Sequence, residues 1–394
     1  MPLNSIEVHA EAAINASGVR RLQNGHLWIY AADVTRAPDE DVPIVRVTDP
    51  GRKLLGYAFY SRSSQIRLRL LSRDAESPGK DFFARRIVDA VSRRRPQGDP
   101  ERSARRLVFG EADLLPSIVV DQYGGYLALQ TLSRGSDAIK FMLAEILHET
   151  VGPKGICERN DVKARRLEGL QESRGVLAGS VPESVEIVEN GIRFLVDLVH
   201  GQKTGFFLDQ SENRAASSRY AKGRGLDCFT NTGGFALHFA PHCDSVLGVD
   251  VSREALEQAR RNAVLNGIAN VEFQEGNVFD FLRELDHAGE RFDVVCLDPP
   301  AFAKNRGALA AAMGGYKEIN LRAMKLLRPG GVLATASCSY HLSEAAFFEL
   351  IADASLDARR YVQVLERRGQ AGDHPVLASM PETHYLKFFI LRIL

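Results

Sequence analysis

Four residues with chemically useful side chains, Asp227, Asp250, Asp298 and Cys338, lie within or just after short apolar runs in the second half of the chain. Each run has the length of a buried β-strand, and helical patterns separate the runs. In an open parallel sheet, ligands bind beyond the carboxyl ends of the strands. Carboxylates there can hold hydroxyl and amino groups, and a thiol can act as a nucleophile. The four side chains therefore predict one ligand site at one edge of a sheet.

The stretch 225–250 predicts the kind of cofactor, because it reads as strand, glycine-containing loop, helix and strand and ends at Asp250. An acid about 20 residues beyond the first loop can accept a ribose hydroxyl. Gly233 and Gly234 do not form the G-x-G-x-x-G pattern that favours a pyrophosphate. A cofactor with a ribose and no pyrophosphate points to S-adenosylmethionine ahead of NAD. The alternative is an ordinary βαβ unit whose two glycines only let helix and strand pack closely.

Asp298 begins the sequence Asp-Pro-Pro directly after the apolar run 292–297. Two prolines stiffen the backbone where a substrate base would lie against it. Asp298 is then placed to hold a polar edge of that base. The alternative is a strand end that is simply terminated by proline.

Cys338 follows the next predicted strand, 331–337, and faces the same crevice as Asp298 in this arrangement. If the substrate is a pyrimidine, attack of a thiolate at C6 makes C5 nucleophilic enough to accept a methyl group. Covalent catalysis of this kind splits one difficult step into two easier ones. A role as a buried apolar residue is an equally good interpretation of Cys338 alone.

Composition limits the class of protein. The 394 residues predict two or three domains, and 45% hydrophobic with 25% charged residues is typical of a globular protein. No apolar run reaches the roughly 18 residues of a membrane span, and the N-terminus lacks signal-peptide features, so we expect a cytoplasmic protein. Five dispersed cysteines without a Cys-x-x-Cys pair indicate neither a disulfide framework nor a zinc site.

Charge is uneven along the chain although the net charge is zero. Residues 1–110 hold 19 Lys and Arg against 13 Asp and Glu, a balance of 19 − 13 = +6. Within the predicted β region 17–75, the strand 65–71 alternates apolar residues with Arg67 and Arg69. A basic strand face favours RNA as a partner, because phosphate contacts dominate nucleic-acid affinity. The same strand and the predicted hairpin at Asn190-Gly191 remain open either as an RNA surface or as the edge of a homodimer.

The element pattern predicts an α/β fold with three parts. Residues 1–76 read as a small β domain, and residues 77–182 as an α+β middle domain. Residues 183–394 read as a β-hairpin followed by a Rossmann-like domain, whose last two strands close the sheet as an antiparallel edge.

Several motifs together resemble one known family. They read LDCFTNTGGF, VDVS, EGNVFDF, LDPPAF, SCS and DHPV, with HGQKTGFFLDQSENR ahead of them. This order resembles the ribosomal RNA large subunit methyltransferase I family, whose members methylate C5 of a cytosine in 23S rRNA. Residues 25–28 and 56–66 are similar to the family's N-terminal PUA domain, and residues 110–130 to its middle domain. The resemblance thus covers nearly the whole chain and implies a class I methyltransferase fold.

The resemblance implies roles for residues at matching positions. Cys338 would be the nucleophile, and Asp298 would border both cofactor and base. Asn231, Asn277 and Ala301 depart from the family pattern, since an aromatic residue, an acid and a lysine are usual there. The residues implied to contact S-adenosylmethionine are Asp227, Phe229, Gly233, Gly234, Asp250, Ser252, Asn277, Asp298, Phe207 and Asp209.

We therefore expect methyl transfer from S-adenosylmethionine to C5 of a cytosine in 23S rRNA or a large-subunit precursor. The sequence does not identify the base that removes the C5 proton. One alternative is methylation of a base nitrogen, since Asp-Pro-Pro resembles the loop of amino-directed enzymes. Two others are a non-catalytic RNA-binding assembly factor and, less favoured, an NAD-dependent oxidoreductase.

Overall fold

The computed structural model describes residues 8–74, 77–94, 96, 98–199, 201, 204–302, 307 and 309–394. The described residues form two compact units. The first comprises those of Met1–Ile187, Val196–Leu208 and Asp373–Thr383, and the second those of Val188–Leu195, Asp209–Gly372 and His384–Leu394. Within the described ranges, no helix is both long and apolar enough to cross a membrane.

The first unit begins with a six-stranded sheet in the order β2-β6-β5-β4-β1-β3. The predicted strand 65–71 is present as β6, which is flanked on both sides by other strands. It therefore has no free edge, and the interpretation of this strand as a dimer edge was wrong. The elements are β1 (Glu11–Ile14), α1 (Ala16–Gln23), β2 (Trp28–Tyr30), β3 (Val34–Arg36), β4 (Ile44–Thr48), β5 (Leu54–Tyr60) and β6 (Ile66–Ser72).

The predicted basic face of β6 is also only partly present. Arg69 is buried, and its guanidinium donates to Glu168 at 2.7 Å (Nη2 to Oε1) and 3.2 Å (Nη1 to Oε2). A buried and paired arginine cannot contact a phosphate from solvent, so the prediction was wrong for Arg69. Arg67 is half-buried and remains available to that interpretation.

The same unit contains a five-stranded sheet in the order β11-β10-β9-β8-β7. One apolar core joins the two sheets and their helices, with the rings of Phe59 and Phe83 stacked 5.9 Å apart. The boundary at residues 76 and 77 therefore lies beside a shared core and stays a prediction. The elements are α2 (Lys80–Ser92), β7 (Ala104–Phe109), β8 (Ile118–Tyr123), β9 (Tyr126–Thr131), α3 (Arg134–Ala138), α4 (Lys140–Val151), β10 (Gly155–Asn160) and β11 (Ser173–Gly179).

The predicted hairpin is present as β12 (Val185–Glu189) and β13 (Ile192–Val196), which form a two-stranded sheet. Asn190 has φ 50° and Gly191 has φ 86°. Both turn residues therefore adopt the positive φ that makes Asn-Gly a strong hairpin signal.

The second unit is built on a seven-stranded sheet in the order β16-β15-β14-β17-β18-β20-β19. Neighbours from β16 to β18 are parallel, whereas β20 is antiparallel to both β18 and β19. The predicted antiparallel closure is thus confirmed. The elements are α5 (Ser211–Ser218), β14 (Arg224–Cys228), α6 (Gly234–Phe239), β15 (Ser245–Asp250), α7 (Arg253–Leu265), β16 (Val271–Glu275), α8 (Val278–His287), β17 (Phe292–Leu297), α9 (Leu309–Leu326), β18 (Leu327–Ser337), α10 (Glu344–Ala358), β19 (Val362–Arg368) and β20 (Lys387–Ile393).

The register of this sheet sets which side chains meet at its edge. Asp227 pairs with Cys296, Leu297 with Thr335, and Ser337 with Lys387. The parallel strands therefore end at one edge, and the antiparallel β20 begins there. Strand ends and the start of β20 together supply the residues of the site.

Candidate active site

Asp227 supports the loop that follows β14. The side chain is fully buried, and Oδ2 accepts from Thr230 Oγ1 at 2.6 Å and from the Ala236 amide at 2.8 Å. Within the described ranges, Oδ1 has no hydrogen-bond partner. Burial raises the pKa of Asp227 to about 7, although the two hydrogen bonds act in the opposite direction. Asp227 thus anchors the loop from beneath.

The loop itself contains three residues in the left-handed region. Phe229, Asn231 and Gly233 have φ of 64°, 50° and 87°. Left-handed backbone is costly for a residue with a side chain, so Phe229 and Asn231 hold a strained conformation between β14 and α6. Such strain is typical of functional loops, and no feature of the sequence pattern revealed it at Phe229.

Gly234 opens α6 in a tightly packed place. A Cβ there would lie 2.7 Å from Arg214 Nε. Arg214 is buried and donates through Nη1 to Glu189 at 2.8 Å (Oε1) and 3.0 Å (Oε2). At this position the close-packing interpretation of the glycine is therefore well supported.

Asp250 presents a half-buried carboxylate at the end of β15. Oδ2 accepts from the Asn231 amide and Oδ1 from the Ser252 amide, each at 2.9 Å. Each oxygen keeps a further lone pair, which suits the hydroxyls of a ribose. Ser252 caps α7 by accepting from the Ala255 amide at 3.2 Å, so its side chain has a structural role.

Asn277 lies exposed at the start of α8, and its Oδ1 accepts from the Phe279 amide at 2.9 Å. This oxygen therefore caps the helix and keeps one further lone pair, so the predicted cofactor contact of Asn277 stays a prediction. Aromatic rings lie beside it, with Phe279 and Phe302 centroids 5.7 Å apart and Phe229 and Phe302 centroids 6.3 Å apart. Sequence reasoning named Phe229 but missed Phe279 and Phe302, although both lie within the quoted motifs.

Asp298 is half-buried after β17, and Gln210 Nε2 donates to its Oδ1 at 2.8 Å. The neighbouring Asp209 is buried, and its Oδ2 accepts from the Tyr385 hydroxyl at 2.6 Å. Gln210 and Tyr385 are additions to the predicted set. The position of Gln210 directly after Asp209 in the predicted loop was the available signal.

Cys338 differs from the other four cysteines. Those four are buried, whereas Cys338 is partly exposed, and all five lie in the part of the chain that the structure describes. Burial raises the pKa of the Cys157 and Cys243 thiols to about 11 and those of Cys228 and Cys296 well above the usual value. The Sγ of Cys338 lies 3.8 Å from the Pro299 carbonyl oxygen. Among these five described cysteines, the one accessible thiol therefore lies against the loop that begins at Asp298.

Phe207 belongs to the first unit and stays a prediction as a cofactor contact. In the loop ahead of it, His200, Gln202 and Lys203 lie outside the described residues.

The second unit brings together, on adjacent strand ends, a ribose-type carboxylate, a strained loop, aromatic rings, Asp298 and a thiol. These groups fit a cofactor that carries adenosine, because the two oxygens of Asp250 can accept hydrogen bonds and the aromatic rings offer apolar faces. Residues 162–377 match the family described as S-adenosylmethionine-dependent methyltransferase, and residues 13–73 match a PUA-like domain. Fold and site thus define an S-adenosylmethionine-dependent methyltransferase, which confirms the predicted fold class and cofactor.

Curated relatives narrow the class. The ribosomal RNA large subunit methyltransferase I of Erwinia tasmaniensis is 41% identical over 384 residues, covering 95% of this chain and 97% of the relative. That of Tolumonas auensis is 42% identical over 383 residues, covering 95% and 96%. The chain belongs to the ribosomal RNA large subunit methyltransferase I family.

Solved structures support the fold independently. A protein from Streptococcus mutans described as an S-adenosylmethionine-dependent methyltransferase aligns with a TM-score of 0.81 at 19% identity, covering 97% of this chain and 99% of that one. A second methyltransferase structure, complexed with S-adenosylhomocysteine, aligns with a TM-score of 0.83 over the same shares at 19% identity.

Proposed function

We propose that this protein transfers a methyl group to C5 of a cytosine in 23S rRNA through a covalent adduct at Cys338. The observation that carries the proposal is the partly exposed thiol of Cys338, 3.8 Å from the Pro299 carbonyl, beside the strand end of Asp298. The relatives named as ribosomal RNA large subunit methyltransferases support rRNA as the substrate. The asymmetry of charge at the first 110 residues agrees with a polyanionic partner.

Asp250 and the loop over Asp227 would hold the cofactor, with Asp250 on the ribose hydroxyls. Phe279 and Phe302 would flank the adenine. When bound, S-adenosylmethionine supplies an electrophilic methyl group on a sulfonium. Asp227 is fully buried beneath this loop, and its role would be to keep the loop in its strained shape.

The chemical step begins with the Cys338 thiolate. Its sulfur bonds to C6 of the cytosine, and the electrons of the C5–C6 double bond become available at C5. Asp298 would accept a hydrogen bond from the exocyclic amino group of the cytosine, which orients C5 toward the methyl group. C5 would then bond to the methyl carbon as the bond from that carbon to the sulfonium sulfur breaks, which leaves S-adenosylhomocysteine. Transfer of the C5 proton to a water molecule would restore the double bond and expel the thiolate from C6. Extrusion of the base from an RNA duplex costs a few kcal/mol, which favours unpaired segments of the rRNA as targets.

The test is methyl transfer from radiolabelled S-adenosylmethionine to deproteinised 23S rRNA, followed by digestion to nucleosides. We expect the wild type to label 5-methylcytidine and Cys338→Ala to lose label by roughly 10³-fold or more, as for loss of a covalent nucleophile. Cys243→Ala is the matched control, because this buried thiol lies just before β15 at the opposite end of the parallel strands. Binding of S-adenosylhomocysteine to both variants, measured by calorimetry, reports an intact cofactor site.

Methylation of a base nitrogen is the second candidate, favoured by Asp298-Pro299-Pro300 at the strand end. It requires no thiol. Label in a nucleoside methylated on nitrogen would support this candidate and overturn the covalent mechanism. Label in 5-methylcytidine that persists in Cys338→Ala would overturn the covalent adduct at Cys338. Failure of the wild type to bind S-adenosylhomocysteine would instead favour a non-catalytic assembly factor.

A further inference from the structure

Lys387 is a buried lysine at the candidate site, and it has no role in the reaction proposed above. It is the first residue of β20 and the register partner of Ser337, directly before Cys338. Its side chain is only 4% exposed. Nζ donates to the Ser339 carbonyl at 2.6 Å and to the Tyr385 carbonyl at 2.8 Å. The ammonium group therefore fixes the carbonyl of the residue that follows Cys338.

No carboxylate of the described residues lies within 4.0 Å of Lys387 Nζ, unlike the buried arginines of this protein. Buried lysines without a counter-ion are rare, because desolvation of the charge is expensive. Burial lowers the pKa of Lys387 to about 8, while the negative charges of Cys338 and Glu344 oppose that fall. Lys387 therefore stays mostly protonated at pH 7, and an anion beside it would be stabilised.

The turn that carries Cys338 is fixed by further contacts. Tyr316 and Ser339 share a hydrogen bond of 2.9 Å between their hydroxyls, and the Leu342 amide donates to the Ser339 carbonyl at 3.2 Å. Among the described residues, the charge of Cys338 acts on Lys387 on β20 and on Tyr316 on α9, and Glu344 on α10 also acts on Lys387. The other titratable residues of the adjoining described segments are Asp298 after β17 and Tyr340, His341 and Tyr385 on the turns.

We propose that Lys387 is a positioning residue for Cys338, whose ammonium fixes the Ser339 carbonyl and stabilises the adjacent thiolate as nucleophile. This inference rests on the proposed function, since a structural cysteine would not need a thiolate. The antiparallel insertion of β20 is what delivers a cation to the edge where the parallel strands end.

The test measures thiolate formation directly, without RNA or methyl transfer. Wild type, Lys387→Met and Lys387→Arg are alkylated with iodoacetamide between pH 6 and pH 10, and modification of Cys338 is followed by peptide mass spectrometry. We expect Lys387→Met to slow alkylation at pH 7 by about tenfold and to shift the half-maximal rate upward by about one pH unit. Lys387→Arg keeps the charge and should restore most of the wild-type profile.

Lys222→Met is the matched control, because Lys222 is exposed just before β14, at the opposite end of the parallel strands. Its alkylation profile should equal that of the wild type. Circular dichroism and binding of S-adenosylhomocysteine report folding of each variant. A folded Lys387→Met with the wild-type profile overturns the inference, even where Cys338→Ala has abolished formation of 5-methylcytidine.

If Lys387→Met does not fold, the interaction is measured at Lys387 instead, in the variant Cys338→Ser. Loss of the thiolate should let Lys387 lose its proton at lower pH, so that competitive acylation by acetic anhydride at pH 7 becomes several-fold faster. Acylation of Lys387 equal to that in the wild type overturns the inference. Retained 5-methylcytidine in Cys338→Ala, by contrast, removes the proposed function and is read in a separate assay.

Discussion

Asp227 supports the loop of the candidate site from a fully buried position. Its buried carboxyl accepts two hydrogen bonds from the loop that it supports, and its pKa is raised to about 7. The unfolded chain would lose this proton near the usual value of 3.8. The folded state thus binds the proton more tightly, and the contribution of Asp227 to stability falls as pH rises from about 4 to about 7.

We expect Asp227→Asn to stabilise the protein more at pH 8 than at pH 5, because the amide cannot ionise. The difference between the two pH values is roughly 3 kcal/mol if each pKa unit is worth about 1.4 kcal/mol. Differential scanning calorimetry at both pH values gives the melting temperatures. Asp353→Asn, on the exposed side of α10, is the control. If Asp227→Asn raised the melting temperature equally at both pH values, the raised pKa of Asp227 would be contradicted.

At the scale of elements, α6 is docked by an ion pair that leaves no room for a side chain at its start. Arg214 on α5 reaches Glu189 on β12 directly beside Gly234. His238 on α6 adds an Nδ1 contact to the Gly234 carbonyl at 2.7 Å, and its ring stacks on Phe194 at 5.9 Å. The helix that shapes the cofactor loop is therefore fixed from its outer side.

We expect Gly234→Ala to destabilise the second unit by about 2–4 kcal/mol, because the new methyl group must displace the paired Arg214. Gly314→Ala is the matched control, since Gly314 lies in α9 and a methyl group added there would meet nothing within 4 Å among the described residues. There, alanine should raise stability by up to about 1 kcal/mol through helix propensity. Calorimetric melting of both variants checks the contrast, and equal melting temperatures would refute it.

Sequence patterns predicted β14, β15, β17 and β18 within a few residues, because each strand contains a short apolar run. They did not predict β7 and β10, whose interiors hold charges. Arg106 in β7 is paired with buried Asp121 at 2.8 Å, and Glu158 in β10 with Lys140 at 2.8 Å. Such partners are distant in sequence, and no local pattern reveals them.

The residues of the candidate site likewise fall into those that the sequence predicted and those that it did not. The strand-end residues Asp227, Asp250, Asp298 and Cys338 followed from position alone. Gln210 and Lys387 did not, because their places depend on the path of a loop and on the register of an antiparallel strand.

For the whole molecule, the charge excess of the first 110 residues overstates the surface available to RNA. Arg69, Arg94 and Arg106 are each paired with a carboxylate that lies beyond residue 110, namely Glu168, Asp113 and Asp121. Three of the six excess charges are thus neutralised within the first unit. Exposed or half-exposed groups such as Arg67 remain for phosphate contacts.

We therefore expect Arg67→Gln and Arg69→Gln, on the same strand face, to behave differently. Arg67→Gln should weaken binding of 23S rRNA by roughly 3–10-fold and lower the salt slope by about 1, with melting unchanged. Arg69→Gln should lower stability by roughly 3–5 kcal/mol, because Glu168 is left buried without its partner. Filter binding at several salt concentrations and calorimetry measure both. Wild-type rRNA affinity in Arg67→Gln would exclude β6 from the RNA surface.

The position of β20 has a consequence for biosynthesis. It is the last strand in chain order, yet it lies between β18 and β19 and not at the rim of the sheet. During translation, β18 and β19 have no common neighbour until residues 387–393 leave the ribosome. Chains that end before β20 would leave β19 without its pairing strand and would lack Lys387, whereas β18 would still pair with β17. If Lys387 has the role proposed above, the thiol of Cys338 gains its neighbouring ammonium only after this strand has been synthesised.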